Sequence, residues 1–149
     1  MLAGAQHGIL AAQIYRAANH PLMDRMLARF RGNQGEFIPK DAVAARRAIE
    51  ALHRGTHLGL PADQKMNDGI PVPFFGRPAM TVPALAGLAL RFDCNVLPLR
   101  VERLQGARFR VTIFPAFLLP RSGDPYADAA TLMAHINEPL EAWIRNRPK

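Results

Sequence analysis

Gly69-Ile-Pro-Val-Pro-Phe-Phe-Gly-Arg-Pro-Ala-Met-Thr81 packs two phenylalanines, three prolines and an arginine into thirteen residues. Each proline removes a backbone donor and clashes with the preceding turn, so the stretch cannot be the interior of a helix. It is also too apolar for an ordinary solvated loop. It reads as an irregular segment running from Ala62 to Met80.

Ahead of it, short apolar runs alternate with helical patterns. Gly8 to Tyr15 reads as a buried strand. His20 to Arg31 places Leu22, Met23, Met26, Leu27 and Phe30 at helical spacing. Glu36 to Pro39 is a brief strand. Asp41 suits the N-cap of a helix over Ala42 to Arg54, with Gly55 as its stop. His57 to Pro61 is the next strand. Behind the segment, Thr81 reads as the cap of a helix reaching about Phe92, with Pro83 in its first turn. Asn95 to Glu102 and Arg108 to Phe114 are strands joined at Gln105-Gly106, an antiparallel hairpin. Asp124-Pro125 opens a final helix over Tyr126 to Arg145. The order predicts an α/β fold: a mixed, mostly parallel sheet flanked by helices, with a C-terminal antiparallel hairpin and a last helix. Residues 1–149 suit one domain. The irregular segment lies at the carboxyl end of a strand, where open α/β sheets bind ligands.

The totals bound the function. Apolar residues make up 49% of the chain, which excludes bulk disorder. No apolar run reaches the roughly 18 residues that cross a bilayer, and the first residues do not read as a signal peptide. The single cysteine, Cys94, has no internal partner. Nineteen basic residues stand against twelve acidic ones, a net charge of +7. All but Lys40, Lys65 and Lys149 of these are arginine. Arginine forks match phosphate and carboxylate oxygens, so the charge points to an anionic partner. The alternative is that base composition of the genome inflates the arginine count. Nucleic-acid motifs and an interleaved aromatic–basic pattern are lacking, so no nucleic-acid partner is expected.

The residues around the segment then line up in a known order. Tyr15-Arg-Ala-Ala-Asn-His-Pro-Leu-Met-Asp24 precedes a basic helix, followed by Phe37-Ile-Pro-Lys40 and an alanine-rich helix. Gly59-Leu-Pro-Ala-Asp-Gln64 comes next, then Val72-Pro-Phe-Phe-Gly-Arg-Pro-Ala-Met-Thr81 and an Ala/Leu helix. Val96-Leu-Pro-Leu-Arg-Val-Glu-Arg103 and Ile136-Asn-Glu-Pro-Leu-Glu-Ala-Trp-Ile-Arg145 close the series. This order resembles the bacterial lipid A biosynthesis acyltransferases, the lauroyl/myristoyl-transferase branch of the lysophospholipid acyltransferase superfamily. The resemblance covers nearly the whole chain.

It implies transfer of a fatty acyl group from an acyl-carrier-protein thioester to a hydroxyl of a lipid A precursor or other anionic glycolipid. It implies the cytoplasmic face of the bacterial inner membrane, and no cofactor or metal. A histidine in a His-x4-Asp or His-x4-Glu pair would act as general base, oriented by the carboxylate. Five residues after His7, His20, His53, His57 and His135 stand Ala12, Arg25, Leu58, Ala62 and Leu140. None is acidic, so no catalytic residue is assigned. The family's pair is expected ahead of Met1, and the chain corresponds to the central and C-terminal portion of an incomplete acyltransferase domain, soluble or peripheral by itself. A non-catalytic remnant that binds anionic lipid or an acidic partner is the alternative. His20-Pro-Leu-Met-Asp24 is one residue short of the pair and reads as a helix start. His53 and His57 stand four apart, but Gly55 breaks the helix between them.

The resemblance also implies the binding residues. Arg16 would meet lipid phosphate, or else sits in a surface ion pair. Asn19 touches substrate or caps the following helix. Asp63 and Gln64 would face the acceptor head group, with a plain turn aspartate as the alternative. Lys65 and Arg77 flank the cleft or are solvated. Phe74 and Phe75, stiffened by Pro71, Pro73 and Pro78, would form an apolar wall for an acyl chain, worth about 0.8 kcal/mol per buried methylene. They otherwise plug the core. Trp143 reads as core on the last helix, or as part of a membrane-facing end with Arg145, Arg147 and Lys149.

Overall fold

The computed structural model describes residues 11–15, 20–31, 35–40, 43–62 and 65–146. The chain divides into two compact units, Met1–Pro61 and Ala62–Lys149.

In the first unit the elements run β1 (Ala11–Tyr15), α1 (Pro21–Arg31), β2 (Glu36–Pro39), α2 (Ala44–His53) and β3 (His57–Gly59). The strands form a parallel sheet in the order β2-β1-β3, with Ala12 opposite both Glu36 and Leu58. Parallel neighbours need a crossover, and the helical patterns of the sequence supply it. Ala12, Ile38, Ala44 and Ala51 form the core, with Ile14 and Leu58 against it. The alanines let the helix lie close to the sheet. Charged pairs surround the helix: Arg46 pairs with Glu50 along α2, and Arg47 and Arg54 both reach Glu36 on β2. Asp41 and Ala42 lie outside the described residues. The N-cap position of α2 is Val43, which makes no side-chain cap.

In the second unit follow β4 (Lys65–Phe74), β5 (Arg77–Thr81), α3 (Ala84–Phe92), β6 (Leu99–Arg103), β7 (Phe109–Ile113) and α4 (Pro125–Asn146). The irregular segment expected over Ala62 to Met80 is instead an antiparallel hairpin of β4 and β5. Proline is tolerated because each strand of a two-stranded ribbon has an open edge that needs no donor. Pro73 stands opposite Pro78, and Pro71 opposite Met80. Thr81 is the last residue of β5 and donates to the Ala79 carbonyl, so it does not cap α3. Pro83 holds that position without a side-chain cap.

The second hairpin and the final helix form where the sequence expects them, although β6 begins at Leu99 and not at Asn95. β6 and β7 pair antiparallel from Leu99–Ile113 to Arg103–Phe109. Asp124 caps α4 by accepting from the Tyr126 and Ala127 amides at 2.9 and 3.3 Å. The core of this unit joins Val72 of β4, Ala86 and Ala89 of α3, and Leu132, Met133 and Ile136 of α4. The fold is α/β, with the parallel strands and the two hairpins in separate sheets among the described residues. No helix among the described residues is long and apolar enough to cross a membrane.

Candidate functional site

The tip of the β4–β5 hairpin concentrates unusual features. Its two-residue turn is Phe75-Gly76, with φ of 51° and 71°. Two successive left-handed residues make the turn type that matches strand twist in tight hairpins. Glycine adopts this conformation freely, whereas phenylalanine does so at a cost of about 1–2 kcal/mol. The surroundings therefore have to hold Phe75, and α4 provides the means.

Asn137 Nδ2 donates to the Pro73 carbonyl at 3.1 Å. One turn along, Glu141 Oε1 accepts from the Phe75 amide at 2.7 Å. A further turn along, Arg145 Nη2 donates to Glu141 Oε2 at 2.6 Å, and its Cζ lies 4.7 Å from the centre of the Phe75 ring. The spacing of 137, 141 and 145 puts all three on one stripe of the helix. Phe74 meets Phe75 edge to face, 4.9 Å between centroids at 86°. Phe74 is half-buried, and Phe75 remains 41% exposed. Arg77, opposite Phe74 in the register, is exposed. The tip thus presents an aromatic pair with Arg145 over the Phe75 ring and Arg77 opposite Phe74 in the register.

Near the end of α4, Trp143 lies 5.1 Å from Phe114, with the guanidinium of Arg100 5.5 Å from the ring centre. Arg100 pairs with Glu102 at 3.1 Å. Trp143 is half-buried among these neighbours and lies outside the Val72–Leu132 core cluster. Near the start of α4, an open cleft of about 510 Å3 is lined by Gly87, Leu90, Arg91, Pro120, Arg121, Gly123, Pro125 and Asp128. Its charged groups are largely engaged. The Asp128 carboxylate accepts twice from the Ser122 amide, at 2.9 and 3.2 Å. That amide, then the Ser122 side chain, holds the carboxyl below its ordinary pKa, with burial opposing. Arg121 pairs with Asp93.

The model of the bacterial lipid A biosynthesis acyltransferases matches residues 1–149. The chain belongs to that family. No curated protein matches it. A lipid A acyltransferase family member acts on a lipid A precursor, and its residues can be placed on that footing.

Phe74, Phe75 and Arg77 of this family member come together at one hairpin tip. Lys65 opens β4, and its side chain lies outside the described residues, as do Arg16, Asn19, Asp63 and Gln64 entirely. The short His20-to-Asp24 spacing is a helix start: the His20 carbonyl accepts from the Asp24 amide at 3.1 Å, and its Nδ1 from the Leu22 amide at 3.3 Å. His53 ends α2 and His57 opens β3, on either side of the turn at Gly55. The α4 stripe that grips the hairpin escaped the sequence reading. Its signal was present as Asn137, Glu141 and Arg145 at four-residue spacing, beside the apolar row that reads as core.

Proposed function

We propose that this chain carries the acyl- and acceptor-binding part of an enzyme that moves a fatty acyl group from an acyl-carrier-protein thioester to a hydroxyl of a lipid A precursor. The family match over residues 1–149 carries the reading. The exposed aromatic tip with Arg77 beside it supports it, since an acyl chain needs apolar contact and the acceptor carries phosphate. Arg16, Asn19, Asp63, Gln64 and Lys65 are the further acceptor contacts. The net charge of +7 suits an acidic carrier and an anionic inner-membrane surface.

In the reaction a histidine takes the acceptor proton, the alkoxide oxygen attacks the thioester carbonyl, and the carrier thiolate leaves. General-base catalysis supplies about 10²–10⁴-fold. No histidine among the 149 residues has an acidic residue five positions on, so these residues by themselves are expected to bind without turnover. The same observation favours a second reading, a non-catalytic module for anionic lipid. Incubating the 149-residue protein with acyl carrier thioester and a lipid A precursor tests both. Saturable precursor binding without product is expected. Product at an enzyme-like rate would show that another group serves as base, and absence of precursor binding would overturn the acceptor assignment.

A further inference from the structure

The Phe74–Phe75 tip is held from one side by a single helix face. The Pro73 carbonyl, the Phe75 amide and the Phe75 ring are each met by a different α4 side chain, one helical turn apart: Asn137, Glu141 and Arg145. Glu141 is central. One carboxylate oxygen takes the amide of the left-handed residue, and the other takes Arg145, which lies over the ring of that residue. A phenylalanine at positive φ does not stay there on local preference. A charge-assisted bond to its amide selects that conformation over competing turns.

We propose that Glu141, with Asn137 and Arg145, is a positioning residue for acyl binding: it fixes the Phe75 backbone so that the aromatic pair stands as a preformed wall. The role rests on the reading of that tip as the acyl contact. Without the latch the turn samples other conformations, and each binding event has to restore the competent one, which weakens apparent affinity by the competent fraction.

The test uses the 149-residue protein and 11-(dansylamino)undecanoic acid as the acyl probe. Two readouts are taken on Glu141→Ala, Glu141→Gln and Phe75→Ala: hydrogen exchange at the Phe75 amide and probe affinity by dansyl fluorescence. Loss of a hydrogen bond to a charged acceptor is expected to raise Phe75 exchange and weaken the probe about tenfold in Glu141→Ala. Glu141→Gln keeps an oxygen acceptor at the same place and stays within roughly threefold of wild type on both readouts. That rescue separates positioning from general helix stability. Unchanged Phe75 exchange in Glu141→Ala overturns the latch. Faster exchange with unchanged probe affinity, while Phe75→Ala weakens the probe, overturns the positioning role and leaves the wall intact. If Phe75→Ala also leaves the probe unaffected, the acyl-wall reading fails and the positioning role falls with it.

Discussion

Gly76 and Asp128 show how single residues hold this second unit together. Gly76 sits at φ 71° with open space where a Cβ would lie. Gly76→Ala therefore tests backbone preference alone and is expected to lower stability by about 1 kcal/mol in urea unfolding. No change would mean that the turn is not left-handed in solution. Asp128 ties the start of α4 to the loop before it through the Ser122 amide. Its folded pKa is depressed. The stabilisation it gives is therefore present above the unfolded value of about 3.9 and is lost as pH falls through the lower folded value. Asp128→Asn is expected to be less stable near neutrality and to lose less thermal midpoint than wild type on acidification to about pH 2. An acid limb as steep as that of wild type would contradict this.

Among the elements, helices and simple strands were legible in the sequence because their signals are local. α4 opens at Asp124-Pro125 and β6–β7 turns around Gly106, as the capping and turn residues indicate. The β4–β5 hairpin was not legible. Three prolines argue against a strand in general, and only the knowledge that each strand has one open edge removes the objection. Thr81 misled for a related reason: a threonine before an apolar run resembles a cap, but here the partner strand claims it. Of the candidate site, the aromatic tip was legible from composition. The α4 stripe was not, because its partners lie more than sixty residues away along the chain. Gly69 marks where the hairpin is least forgiving. The register shifts between Lys65 and Ile70, and a Cβ at Gly69 would overlap the Thr81 carbonyl. Gly69→Ala is expected to cost about 1–3 kcal/mol, read as a lowered urea midpoint, since backbone cannot yield as a side chain can.

At the scale of the whole molecule, each unit has its own small core, and apolar surface remains outside both. Leu99, Val101, Phe109, Val111 and Ile113 share one exposed face of the β6–β7 ribbon. Apolar faces of this kind promote self-association. Val111→Lys is expected to change unfolding stability by no more than about 0.5 kcal/mol while reducing light scattering at high protein concentration. A large stability loss would show that the face is covered in solution. Family membership, the aromatic tip and the excess of arginine all bear on one claim, that the Val72–Thr81 hairpin receives the acyl chain. Photocrosslinking measures it most directly. A fatty acid with a diazirine near its methyl end is bound to the 149-residue protein and irradiated, and labelled peptides are mapped by mass spectrometry. The expected result is saturable labelling at Phe74, Phe75 and their neighbours, competed by unlabelled fatty acid. Competed labelling that maps elsewhere and spares this hairpin would contradict the claim.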